Sequence, residues 1–188
     1  KMLPYLKKSG CTIVAIDGPA QGLSTGKEFT VPKYAEFIDI VAQKYQPNYI
    51  IGHSMGGKTS LYYQYKYQNP RVQKMIILGA PSDFTIILNN FTRMLSLNNK
   101  VRKTLKNKYT EHLNLDLDQF ASKEFASQIN VKGLMAHDIE DTIVLFDEGK
   151  KIAQSWENVQ FIETKGLGHK LHDDELYQKV YTFLFDTD

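Results

Sequence analysis

Apolar residues in this chain fall into two patterns: short, mostly apolar runs, and longer segments with apolar positions at steps of three and four. The short runs cover residues 11–16, 48–51, 72–78, 131–136 and 159–162. The β-branched run 11–16 in particular has the pattern of a strand buried on both faces. Helices are predicted between the runs. One ends within 3–8, with Lys7 and Lys8 at its C-terminus and Gly10 as the stop. Another starts at Thr30 as N-cap, with Pro32 in its first turn, and reaches about Tyr45. Further helices run to about 69–70, over 148–156, and over 174–185 on an apolar face of Leu176, Val180, Phe183 and Leu184. From 82 to 130 the period is helical, with Phe84, Ile87, Leu88, Phe91, Met94 and Leu95 in step. Strands alternating with helices predict an α/β fold: a mostly parallel sheet flanked by helices on both faces, with a helical insertion at about 82–130. No repeat or low-complexity tract divides the chain, so a single domain is expected over 1–188.

The run 48–51 leads into Gly52-His53-Ser54-Met55-Gly56-Gly57-Lys58-Thr59, which fits two chemistries. Gly52-x-Ser54-x-Gly56 is the pattern of a nucleophile elbow, a strand-to-helix turn that lifts a serine hydroxyl clear of the sheet. Gly52 to Thr59 also satisfies G-x-x-x-x-G-K-[ST], the phosphate-cradling loop of nucleotide-binding domains. Local context is the same for both, so the rest of the chain must discriminate. A phosphate loop needs an acidic residue at the end of another strand to hold Mg²⁺. Asp17 and Asp138 are the available candidates, and neither comes with a further nucleotide signature. An elbow needs an acid and then a histidine after later strands. Asp141 follows the run 131–136, with Asp138 and Glu140 as alternatives beside it, and His169 follows the run 159–162. The order favours the elbow, which leaves Lys58 as an ordinary helix residue and His53 as a packing residue.

With these residues in place, the chain resembles the α/β-hydrolase family. Asp17-Gly-Pro19-Ala-Gln-Gly22-Leu-Ser24 looks like the family's D-x-P-G-x-G-x-S loop, with Ala20 and Gln21 in place of glycine and histidine. Gly52-His-Ser54-Met-Gly56 looks like its elbow, residues 137–144 its acid turn, and Gly166-Leu-Gly168-His169 its histidine loop. The resemblance implies a Ser54–His169–Asp141 triad and a serine hydrolase of esterase type working through an acyl-enzyme, without cofactor or metal. It implies the Met55 backbone N–H as one oxyanion donor. The family's first three strands, and the loop that carries the second oxyanion donor, have no counterpart here. The 188 residues therefore read as an N-terminally incomplete hydrolase and as part of a longer chain. The insertion at 82–130 takes the place of the family's lid, where Phe84, Phe91 and Met94 are candidates to line an acyl pocket or simply to pack. Two other readings stay open: a hydrolase-fold binding or receptor module without turnover, and a phosphate-loop nucleotide-binding domain.

Composition narrows the partners. With 23 basic and 21 acidic residues, nothing in the net charge calls for nucleic acid. Cys11 is the only cysteine, which excludes an intrachain disulfide and fits a reducing, cytoplasmic setting. No apolar run nears the ~18 residues of a membrane span, and no signal peptide is expected at the start. His112, His137 and His172 have no metal-ligand spacing. Lys100, Arg102, Lys103, Lys106 and Lys108 form a basic cluster. It reads as a solvated helix face, with attraction to anionic substrates or a membrane surface as the alternatives. A small acyl substrate is the partner these readings leave.

Overall fold

The computed structural model describes residues 1–113, 116, 117 and 119–186. Its centre is a four-stranded, wholly parallel sheet in the order β1 (Tyr49–His53), β2 (Lys74–Leu78), β3 (Lys132–Asp138), β4 (Val159–Thr164). Each strand is followed by helical chain that crosses over to the next, as parallel pairing requires. Alternation along the central strands sends side chains to two separate cores. Met75, Ile77 and Met135 face one side, together with Leu61, Tyr63, Phe125, Ile152 and Trp156. Ile76, Leu78, Leu134 and Ala136 face the other, together with Leu176, Val180 and Leu184. The first side is covered by helices α2 (Val31–Tyr45), α3 (Met55–Tyr67), α6 (Ser122–Ala126) and α7 (Phe146–Ser155). The second is covered by α8 (Asp174–Phe185), with Met2 and Leu6 at either end of α1 (Leu3–Leu6). Among the described residues no helix is long and apolar enough to cross a membrane.

Local chemistry fixes several boundaries. The Thr30 hydroxyl accepts from the Lys33 N–H and Pro32 sits in the first turn, so α2 starts where the sequence predicts. The Asp173 carboxylate caps α8 through the Leu176 N–H. The insertion after β2 contains α4 (Phe84–Met94) and α5 (Asn99–Leu113) before α6.

One predicted strand is absent. Residues 11–16 belong to no strand, and Cys11, Thr12, Ile13, Val14 and Ala15 are exposed. A groove of about 1080 Å³ separates this segment from β1, with Ile13 and Val14 on one wall and Tyr49, Ile50 and Ile51 on another. An apolar run becomes a strand only when a neighbour pairs with its N–H and C=O groups, and among the described residues none pairs with 11–16.

Candidate active site

All the chemistry expected from the sequence collects at the carboxyl ends of the strands, where parallel sheets place their ligands. Ser54 lies between β1 and α3 with φ +54° and ψ −124°, a conformation that costs a non-glycine residue ~1–3 kcal/mol. Two glycines make the turn possible. A Cβ at Gly52 would sit 2.6 Å from the Gly56 carbonyl oxygen, and one at Gly57 would sit 2.9 Å from the Ala80 Cβ. Gly56, the third glycine of the pattern, has open space around it. The Ser54 N–H donates to the Leu78 carbonyl (2.8 Å), which ties the turn to β2. Met55 is the first residue of α3, so its N–H is one of the helix's free donors beside the Ser54 side chain.

Asp141 and His169 reach Ser54 from the turns after β3 and β4. His169 Nε2 lies 3.0 Å from Ser54 Oγ, and Nδ1 lies 2.7 Å from Asp141 Oδ2. The Asp141 carboxylate can only accept, so Nδ1 carries the proton and Nε2 accepts from the serine hydroxyl. The other carboxylate oxygen, Oδ1, accepts from the Ile143 and Val144 N–H groups, which fixes its orientation. Asp141 is buried, while the His169 side chain is 18% exposed, open enough for a reactant to approach.

Asp138 has a different task from Asp141. It is buried and accepts from the Thr164 hydroxyl, the Leu167 N–H and the Glu140 N–H, so it holds the start of the histidine loop against β3. Burial pushes its carboxyl up, but the hydrogen bonds from Leu167, Thr164, Glu140 and Gly168 prevail and hold it below the usual carboxylate range. Glu140 is exposed.

Three further residues brace the site, and the sequence reading gave none of them this role. His53 Nε2 donates to the His169 carbonyl (2.7 Å) and its ring lies 4.9 Å from that of His169. His137 is fully buried; its Nε2 donates to the Val144 carbonyl (2.9 Å) and lies 3.4 Å from Asp141 Oδ2. Lys58 is no ordinary helix residue. It is fully buried, and its ammonium contacts the Ser82 carbonyl (2.7 Å), the Phe120 carbonyl (3.0 Å) and the Ser122 hydroxyl (3.4 Å). Ser82 precedes α4 while Phe120 and Ser122 follow α5, so Lys58 clasps the two ends of the segment that carries these helices. Its ammonium is committed there and not free for a phosphate at the loop. Burial pushes it down from 10.5 to about 7 despite the pull of Asp83 and Glu148.

The residues considered for an acyl pocket separate. Phe84 packs edge-on against Tyr109 (5.4 Å between ring centroids), whereas Phe91 and Met94 are 49% and 72% exposed. Among the described residues no group of three or more His, Cys, Asp or Glu side chains is arranged to hold a metal ion.

A family model described as alpha/beta hydrolase fold matches residues 1–108. Solved structures similar to this chain include a monoacylglycerol lipase from Paleococcus ferrophilus, with TM-score 0.71 and 16% identity over 97% of this chain and 86% of that one. Est1E from Butyrivibrio proteoclasticus, with ferulic acid bound, gives TM-score 0.65 and 15% identity over 90% and 74%. A meta-cleavage product hydrolase from Pseudomonas fluorescens gives 0.63 and 14% over 90% and 77%. No curated protein sequence matches the chain.

Proposed function

Because this chain belongs to the alpha/beta hydrolase fold family, we propose that it is a serine hydrolase acting on a carboxylic ester or a related acyl substrate through an acyl-enzyme. One observation carries the reading: hydrogen bonds of 3.0 and 2.7 Å join Ser54, His169 and Asp141 in a single chain. Ser54 Oγ attacks the acyl carbon while His169 Nε2 takes its proton, and the carbonyl π bond opens to an oxyanion. The Met55 N–H faces that oxygen as one donor. Collapse expels the alkoxide, which leaves with the proton from His169. Water, activated by the same nitrogen, then releases the acid and restores Ser54. Asp141 keeps Nδ1 protonated and stabilises the imidazolium. A carboxylic ester comes first among substrates by analogy with the monoacylglycerol lipase among the structural neighbours.

The test is intact-protein mass spectrometry before and after treatment with a fluorophosphonate. A single adduct is expected on the wild type and none on Ser54→Ala. A folded wild-type chain that takes no adduct overturns the proposal and favours a hydrolase-fold binding module.

A further inference from the structure

The lid segment carries a surface that the proposed reaction does not use. Helices α4 and α5 form a hairpin whose tip, residues 91–101, presents Phe91, Met94, Leu95, Leu97 and Val101, each 37–72% exposed. Within α5 no side chain with a described position is fully buried: Arg102, Leu105, Lys106 and Thr110 are half-buried, Tyr109 packs on Phe84, and the other described positions are exposed.

Charge is concentrated on the same hairpin. Arg93, Lys100, Arg102, Lys103, Lys106 and Lys108 stand against one acid, Glu111, over residues 84–113, a net +5. The whole chain is only +2, so the rest of the molecule is net acidic at −3. Apolar side chains at a tip with cations alongside have the composition of an interfacial helix, which inserts apolar groups among acyl chains while its cations meet anionic headgroups. A soluble acidic partner would satisfy the cations but leave the large apolar side chains of the tip without an apolar medium.

We propose that the α4–α5 hairpin docks the molecule on an anionic lipid surface. The insertion leaves the sheet at the carboxyl end of β2, the same edge that carries Ser54, Asp141 and His169. Docking therefore brings the Ser54 edge of the sheet to the membrane.

The experiment is co-sedimentation of the full chain with phosphatidylcholine vesicles, with and without phosphatidylglycerol, over a range of salt. Binding is expected to the anionic vesicles, to weaken as salt rises, and to be much lower on phosphatidylcholine alone. Lys100→Gln and Lys103→Gln should each weaken it about fivefold, the worth of one cation near such a surface. Met94→Glu should weaken it at least about tenfold through the lost apolar insertion. At 72% exposure Met94 makes few contacts within the fold, so circular dichroism and melting of that variant should match the wild type. Three results overturn the proposal: no binding to either vesicle, binding indifferent to both charge and Met94, or a self-association that Met94→Glu abolishes, which makes a second copy the occupant. Sedimentation does not depend on a reactive Ser54, so failure here leaves the proposed reaction standing, and failure of the fluorophosphonate test leaves the docking standing.

Discussion

Two aspartates three residues apart, both buried, could each be taken for the acid partner of a histidine, and their hydrogen bonds tell them apart. Asp141 spends Oδ2 on His169 and Oδ1 on two backbone N–H groups. Asp138 spends Oδ2 on Thr164 and Leu167, at the root of the loop that carries His169, and Oδ1 on the Glu140 N–H of its own turn. Asp141→Asn keeps an acceptor for Ile143 and Val144 but turns an amide N–H toward His169 Nδ1, which favours the wrong tautomer. Fluorophosphonate labelling of Ser54 should slow by about 10³–10⁴-fold with the fold intact. Asp138→Asn instead sets an N–H against a donor and should cost about 1–3 kcal/mol of stability, with labelling of the folded fraction changed only a few-fold. Its pH signature is distinct. The Asp138 carboxyl is lowered in the fold, so its stabilisation is present above the ordinary value of 3.8 and is lost as pH falls through the folded value. Urea unfolding of wild type and Asp138→Asn should therefore converge below about pH 4. The sequence offered Asp141 through its spacing from His137 and Val144. It gave no sign of the Asp138 clasp, because two of its donors come from Thr164, at the end of the next strand, and Leu167, beyond it.

At the scale of elements, local signals were legible and distant ones were not. Thr30 and Pro32 marked the start of α2, and the apolar face of 174–185 marked α8, because capping and periodicity are properties of adjacent residues. Lys58 is the contrary case. Nothing in its neighbours along the chain separates it from a solvated helix lysine; its burial is imposed by carbonyls 24 and 62 residues away. The clasp joins α3 to both ends of the lid segment, with the Phe120 and Phe125 rings beside the ammonium at 5.3 and 5.4 Å. Asp83 and Glu148 lie within electrostatic reach, and both are engaged by Lys151 (2.8 and 2.7 Å). Between pH 7 and 10.5 the unfolded chain holds a proton on this lysine that the folded chain has released, so stability attributable to Lys58 rises with pH across that window. Integrated, the rise is at most about 5 kcal/mol. Lys58→Met removes the charge and abandons the two carbonyls. Its deficit against wild type in urea unfolding should grow from pH 7 to pH 10. Parallel curves over that range would show that Lys58 keeps its proton in the fold.

Across the whole molecule, the sheet is covered on its two faces, and its β1 edge borders a groove. β2 and β3 are the interior strands, with Ile76, Ile77, Leu134 and Met135 at 0–1% exposure. Among the described residues β1 pairs with β2 alone, and its other edge looks across the groove at residues 11–16. Hydrophobic pattern alone predicted a strand at 11–16, since composition records what a segment could pack against but not whether a neighbour stands there to pair with it. The two situations differ in amide protection, which depends on closed hydrogen bonds rather than on sequence. In hydrogen exchange read by mass spectrometry on peptides, the amides of 12–16 should exchange at rates near those of open loops. Those of 75–78 and 133–136 should open only with global unfolding. Slow exchange at 12–16, matching β2, would mean that in solution a strand fills the groove and completes the ladder between this segment and β1. The comparison is internal to one sample, since residues 12–16 and 75–78 have similar β-branched and apolar composition, so a difference in rate reports pairing and not the intrinsic chemistry of the amides.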